Sequence, residues 1–236
     1  MTLPTKEHKK EFVHEKFSSV TEKYDLLNSL LSLGIDRLWR RDTIKALCDV
    51  KGPVLDLCAG TMPLTRELIK QGHEKICALD FCHDMLVFGM KRMKKNGKAK
   101  CVMPLCADGE NLPIKDNSFG GFTVAFGIRN LTDLEKGFSE AFRVLKPGGK
   151  GAIMEFSRPD VPVFKHLYRF YLYNLLPIIG GLVSGDKEAY RYLAESIYAF
   201  HSQNEICALL TDTGFINVSF RPMTLGIVTL YTCEKP

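Results

Sequence analysis

The chain has 236 residues, of which 45% are hydrophobic and 25% charged, enough to bury the core of one domain with appendages but short for two. Its net charge of +5 is a mild basic bias rather than the strong one of a nucleic-acid-binding protein, so no nucleic acid partner is expected. Eight cysteines lack the paired spacing of a zinc site or a disulfide scaffold, and no metal is predicted. The polar N-terminus has no signal-peptide core, which favours a cytoplasmic location.

The first predicted element is an amphipathic helix. Apolar residues recur at three- or four-residue steps from Glu7 to Asn28, a pattern that favours a helix over a strand. A second helix is predicted from Asp36 to Leu47, followed by Gly52-Pro53 and the first strand. Residues 1–50 are therefore expected to form a helical cap over a site.

Strands and helices then alternate through residues 51–156. Because this alternation is typical of βαβ units, it predicts a parallel sheet covered by helices. The predicted strands lie near residues 53–57, 75–79, 100–105, 121–126 and 150–156.

Two of these strands carry acidic residues toward the same edge of the sheet. The apolar run of the first strand contains Asp56 and leads to Gly60, and the second strand ends at Asp80. Nucleotides bind at this edge in doubly wound sheets, and a carboxylate suits the two hydroxyls of a ribose. Since Gly60 is the only glycine of a Gly-x-Gly-x-x-Gly pattern present, the sequence favours an adenosine cofactor that is not a dinucleotide.

The pattern changes after Phe156. Residues 161–183 are rich in apolar and aromatic side chains, but their charged residues and two prolines make a membrane-spanning helix costly. Residues 157–202 are expected to form a helical, substrate-covering insertion, with an element that lies at the membrane interface as the alternative for the apolar segment. A helix at 203–213 and strands at 216–220 and 225–232 complete the predicted order.

Several segments resemble known methyltransferases. Leu145–Gly149, before an apolar strand, resembles the Rossmann-like S-adenosylmethionine methyltransferases. Four segments are similar to the ubiquinone and menaquinone biosynthesis C-methyltransferase family: Phe17–Asn28, Gly34–Arg40, Phe126–Asn130 and Tyr190–Ile197. The resemblance implies one α/β domain over residues 1–236, with a seven-stranded, mostly parallel sheet that has a terminal antiparallel strand. It also implies S-adenosyl-L-methionine as cofactor and a prenylated quinol as substrate, with methylation of demethylmenaquinol first in rank.

The resemblance also assigns cofactor-binding residues, some of which have structural alternatives. Thr61 could equally cap the next helix, and Asp108 could equally form a turn with Gly109. Phe81 and Met85 suit an adenine pocket but are also ordinary core residues. The predicted cofactor-binding residues are Asp56, Gly60, Thr61, Asp80, Phe81, Met85, Asp108, Gly109 and Ala125.

The predicted catalytic residues are Arg129, Asn130 and Tyr24. Arg129 follows the fourth strand and is assigned to stabilise a phenolate or orient water, with a structural ion pair as the alternative. Asn130 is expected to orient Arg129 or a ring oxygen. Tyr24, which could instead be a core tyrosine, is placed at the substrate together with Asn28, Arg129 and Tyr190.

One departure from the family pattern stands in the cofactor loop. Met62-Pro63 replaces the usual Gly-Asp, which removes an acidic group and puts the affinity for the cofactor in doubt. A non-catalytic lipid-binding or scaffold protein and a methyltransferase for a soluble small molecule are therefore the alternatives. Transient contact with the inner face of a membrane is expected. The sequence does not determine the oligomeric state, and a homodimer is one possibility.

Overall fold

The computed structural model describes residues 4–184 and 186–236, apart from the side chains of residues 6, 17, 19–20, 22–28, 30–31 and 183–184. In this part of the chain, seven strands form one sheet in the order β3-β2-β1-β4-β5-β7-β6. Strands β1 to β5 are parallel, and β7 runs antiparallel to both β5 and β6. The predicted fold class is confirmed. The strands are β1 Val54–Leu57, β2 Ile76–Asp80, β3 Val102–Cys106, β4 Phe119–Ala125, β5 Leu145–Phe156, β6 Ile216–Met223 and β7 Val228–Glu234.

Helices cover both faces of this sheet. Strands β1 and β2 are buried along their whole length, which explains their continuous apolar sequences. Helix ends follow local signals, such as the capping box of Ser202 and Glu205 and the left-handed Gly214 after the last helix. The helices are α1 Lys6–Leu31, α2 Asp36–Lys45, α3 Pro63–Lys70, α4 His83–Lys95, α5 Leu134–Val144, α6 Pro162–Phe170, α7 Leu176–Ser184, α8 Lys187–Ala199 and α9 Gln203–Thr213.

Several strand boundaries differ from the sequence prediction; strand β6, for example, ends at Met223 rather than at residue 220. Strand β5 begins at Leu145 rather than near residue 150, because Leu145 pairs with Phe119 across a register irregularity. Strand β7 begins at Val228 rather than 225, because Thr224–Gly226 form a short 3₁₀ turn in which Leu225 is left-handed, with φ of 56°. The β5 difference depends on pairing between distant segments and the β7 difference on a local turn, and hydrophobic periodicity reports neither.

The insertion after β5 forms a helical layer beside the sheet. Helices α6 and α7 are joined by a π-helical stretch, Tyr171–Leu175. Helix α7 and this stretch pack against α8. Their buried side chains form a cluster with Tyr168, Leu172 and Ile197. Over the residues described, no helix is long and apolar enough to cross a membrane.

Candidate active site

The carboxyl ends of β1, β2 and β4 meet at one edge of the sheet. Three residues other than glycine adopt left-handed backbone conformations there: Cys58 (φ 55°), Met62 (φ 65°) and Phe126 (φ 60°). Such conformations cost free energy and cluster at functional sites, where the surrounding fold holds them. This edge is therefore the first candidate for a binding site.

Asp80 closes the loop that follows β1. It is 6% exposed, and its Oδ2 accepts a hydrogen bond from the Gly60 amide at 2.8 Å, while its Oδ1 accepts one from the Cys82 amide at 2.8 Å. Burial raises the pKa of Asp80, although these backbone hydrogen bonds lower it. Since each carboxylate oxygen has a second lone pair, both oxygens keep the capacity to accept a hydroxyl.

Asp56 lies behind this loop, within β1. Its carboxylate accepts a hydrogen bond from the Thr65 hydroxyl of α3. Burial raises the pKa of Asp56 to about 7, against the lowering effects of Thr65 and of the positive charge of Arg40. Asp56 therefore fixes α3 to the sheet and also contributes to the wall of the cleft described next.

A cleft at this edge brings together most of the predicted cofactor residues. Thr61 is buried but is not among the described residues of its wall, and Gly109 packs against the Leu57 side chain. Asp108 is instead paired with Lys10 of α1 at 2.7 Å. The predicted residues that line the cleft are Asp56, Gly60, Asp80, Phe81, Met85, Ala125 and Asn130.

Helix α1 lies over one end of this cleft. The His14 ring is 5.8 Å from the Phe81 ring, and the Ser18 hydroxyl is 3.4 Å from the Cys82 sulfur. The Lys10–Asp108 pair holds the same helix near the end of β3. These contacts place α1 beside the Phe81 end of the cleft.

A second, apolar cavity of about 330 Å³ adjoins the cleft. Phe126 lines both spaces; its ring stacks on Phe156 at 4.3 Å and meets the Trp39 indole edge-to-face at 6.4 Å. The π-helical stretch contributes Tyr171 and Leu172 to the wall. Flat aromatic walls of this kind suit a planar, apolar ligand.

Arg129 and Asn130 have different surroundings. The Arg129 guanidinium pairs with the buried Glu155 carboxylate and donates from Nε to Ser196 at 2.8 Å, so the ion pair that the sequence left as the alternative is present. Arg129 is not among the described residues that line the cleft or the apolar cavity. Asn130 lines the cleft and accepts a hydrogen bond from the Tyr192 hydroxyl at 3.2 Å.

The remaining predicted substrate residues lie on α1 and α8. Tyr24 and Asn28 belong to α1, but their side chains lie outside the described part of the structure. Tyr190 is buried against Gly180 of α7, where any Cβ would clash with the tyrosine ring. It therefore packs the helical layer and is not among the described residues of the cavity wall.

Sequence reasoning missed residues of α2 and of the turn after β4. Arg40 lines the cleft, Asp36 and Trp39 line the apolar cavity, and Phe126 lines both. The available signal was the segment Gly34–Arg40, which matches the family pattern but received no role.

The departure at Met62-Pro63 has a clear structural context. Met62 is fully buried and packs with Leu86 and Met93. Its side chain lies so close to Gly89 that a residue with a Cβ at position 89 would clash with it. Pro63 starts α3 and lines the cleft. The loop keeps its shape by burying the methionine, so glycine at position 62 would remove core packing.

The chain resembles known proteins along nearly its whole length. The profile described as the ubiE/COQ5 methyltransferase family matches residues 4–235. The ubiquinone/menaquinone biosynthesis C-methyltransferase UbiE of Geotalea daltonii is 40% identical over 230 residues, which cover 96% of this chain and 97% of that protein. The protein of the same name from Salmonella paratyphi B is 40% identical over 233 residues, covering 98% and 93%.

Solved structures show the same fold at lower identity. A SAM-dependent methyltransferase from Aquifex aeolicus has a TM-score of 0.63 and 19% identity, covering 90% of this chain and 98% of that one. Phosphoethanolamine N-methyltransferase 2 of Haemonchus contortus, solved with S-adenosyl-L-methionine, has a TM-score of 0.60 and 17% identity, covering 83% and 52%. These likenesses support the class of fold.

Proposed function

The chain belongs to the ubiE/COQ5 methyltransferase family and is an S-adenosylmethionine-dependent C-methyltransferase. We propose that it methylates the ring of a reduced polyprenyl quinone precursor. Demethylmenaquinol is the acceptor that we rank first. The observation that carries the proposal is the aromatic, apolar cavity that meets the cofactor cleft at Phe126.

The cleft has the features that the cofactor requires. Asp80 offers two carboxylate oxygens for a ribose diol, each already oriented by one backbone amide. Gly60 is left-handed, with φ of 53°, and its missing side chain leaves the backbone open to a ligand. Phe81 and Met85 supply apolar surface beside Asp80 for the adenine.

The acceptor cavity fits a quinol ring with the start of a prenyl chain. Trp39, Phe126 and Phe156 form a wall for the ring, and leucines and tyrosines of the helical layer surround the remaining space. Asp36 adds a hydrogen-bond acceptor to an otherwise mostly apolar wall. Burying the tail contributes roughly 25 cal/mol per Å² of apolar surface, which favours a prenylated acceptor over a small polar one.

The chain's own residues position the reactants and exclude water. S-adenosylmethionine supplies, when bound, a methyl group that an electron-rich ring carbon can accept. We assign Asn130, held by the Tyr192 hydroxyl, to orient a ring oxygen at the cleft. The Arg129–Glu155 pair holds the turn after β4 against β5. Tyr24, Asn28 and Tyr190 stay predicted substrate residues, and Arg129 stays a predicted catalytic residue.

Turnover is expected to depend on both the tail and the redox state of the acceptor. Reduction supplies the phenol whose ionisation activates the neighbouring carbon, so oxidised quinone should give no product. Extending a tail-free quinol by two or three isoprene units should lower KM by about tenfold or more, because the tail enters apolar surface. The measurement is transfer of labelled methyl to extracted lipid; equal rates for oxidised and reduced acceptors would contradict the proposal.

We further propose that the insertion docks on an anionic membrane surface, where prenylated acceptors reside. Exposed apolar side chains on α6 and α7 include Val163 (73% exposed) and Leu182 (83%), with Lys165 nearby. Leu33 (86%) and Leu167 (61%) are both exposed and line the acceptor cavity, so they lie at its mouth. Apolar side chains with adjacent cations are typical of an interfacial lipid contact.

Sedimentation with anionic vesicles tests this contact. The double variant Val163→Ser/Leu182→Ser is expected to partition into vesicles about tenfold less well, because two exposed apolar side chains no longer enter the lipid. Val87→Ser, on the exposed face of α4, is the matched control and should sediment like the parent protein. Equal loss in both variants, or no loss in the double variant, would argue against a docking face on α6 and α7.

A further inference from the structure

Arg40 of α2 is largely buried and lines the cofactor cleft. It is 6% exposed, its Nε donates to Asp36 at 3.5 Å, and its guanidinium lies 5.4 Å from the centre of the Phe126 ring. Among the residues that the structure describes, no hydrogen-bond acceptor takes its Nη1 or Nη2 group. Because Arg40 lines the cleft, these donors are open to it and available to an acceptor that a ligand brings.

The position of Arg40 identifies the end of the cofactor cleft. Helix α2 packs against α3, and the positive charge of Arg40 lowers the pKa of Asp56, so the guanidinium lies beside the Asp56 end of the cleft. Asp80, Phe81 and Met85 form the other end, where ribose and adenine are expected. Arg40 therefore lies where the methionine part of the cofactor is expected.

The chemistry of that part matches a guanidinium. The methionine part of S-adenosylmethionine carries an α-carboxylate, and the planar fork of an arginine pairs with a carboxylate through two parallel hydrogen bonds. Among the described side chains that line the cleft, Arg40 alone carries a positive charge. We propose that Arg40, held by Asp36 through Nε, binds the α-carboxylate of the cofactor with its two Nη groups.

A role for Arg40 at the acceptor is less consistent with the geometry. Arg40 lines the cleft and is not among the described residues of the apolar cavity, and the shared Phe126 ring lies beside its guanidinium. The proposal concerns the cofactor alone, so it does not depend on the identity of the acceptor.

Two ligands that differ in the carboxylate provide the test. S-adenosylhomocysteine carries the amino acid group, whereas 5′-methylthioadenosine keeps the adenosine and sulfur but lacks it. Arg40→Met is expected to weaken S-adenosylhomocysteine binding by about 30-fold or more, the cost of removing one partner of a buried charge pair, and to leave 5′-methylthioadenosine binding within about twofold. Arg37→Met, on an exposed position of α2, is the control and should change neither affinity in calorimetry.

Each other outcome decides the question. Unchanged S-adenosylhomocysteine affinity in Arg40→Met overturns the proposal, including the case in which turnover alone is lost. If Arg40→Met weakens both ligands equally through a damaged fold, Arg40→Lys provides the second variant, because it keeps the charge but not the fork. A selective loss for S-adenosylhomocysteine in Arg40→Lys supports the proposal, and the absence of a selective loss in both variants overturns it.

Discussion

Replacing Arg129 with Met is expected to lower the free energy of unfolding by about 3 to 5 kcal/mol. The change leaves the Glu155 carboxylate, which is 0% exposed, without its cation, and it also removes the hydrogen bond to Ser196. An uncompensated buried charge is among the most destabilising consequences of a single substitution. Urea unfolding of the parent and variant proteins measures the difference.

The same variant should be more sensitive to high pH than to low pH. Burial raises the pKa of Glu155 even beside Arg129, and removing the guanidinium raises it further. A buried carboxyl whose pKa is raised on folding costs little stability while it is protonated. The free energy of unfolding falls as the pH rises through the folded-state pKa, because the carboxyl then ionises. The destabilisation of Arg129→Met should therefore be larger at pH 8 than at pH 5.

Two controls separate the ion pair from catalysis. Replacing Arg129 and Glu155 together with Met removes both charges and should recover most of the lost stability. Lys70→Met, which breaks a surface pair with Glu67, should cost less than about 1 kcal/mol. A loss of similar size in Arg129→Met would contradict the stabilising role of the pair. If the double variant is stable but inactive, the predicted catalytic role of Arg129 gains support.

Replacing Asp80 with Ala is expected to weaken cofactor binding by about 100-fold, the scale expected for losing two charge-assisted hydrogen bonds to a ribose diol. The substitution also removes the acceptor for the Gly60 and Cys82 amides, so the loop loses its anchor. Calorimetric titration with S-adenosylhomocysteine gives the affinity directly.

The control for this variant is Asp84→Asn, at an exposed carboxylate in the first turn of α4, which should leave the affinity unchanged. Asp80→Ala should weaken S-adenosylhomocysteine and 5′-methylthioadenosine alike, because both carry the ribose. This pattern differs from the selective loss expected for Arg40→Met. An Asp80→Ala affinity within about threefold of the parent would remove Asp80 from the ribose site.

The sequence alone was sufficient for the approximate positions of the strands and for the edge of the sheet at which we propose that the cofactor binds. Buried parallel strands are continuous apolar segments, so β1 and β2 were recognisable, and the residues at their ends followed from chain direction. Asp80 and Gly60 lie close together because of this local regularity, and their hydrogen bond confirms the prediction that both belong to one edge. The parallel direction of β1 to β5 likewise follows from the βαβ pattern.

Only the tertiary structure decided which partner each polar side chain takes. Arg129, in the turn after β4, meets Glu155 of β5, and Lys10 reaches Asp108 from a position 98 residues earlier in the chain. Arg40 reaches the cleft because α2 packs against α3 and the sheet, and Phe126, whose backbone is left-handed, lines both the cleft and the apolar cavity. Sequence periodicity predicts which face of an element is buried, but these contacts depend on packing between elements that are distant in the chain.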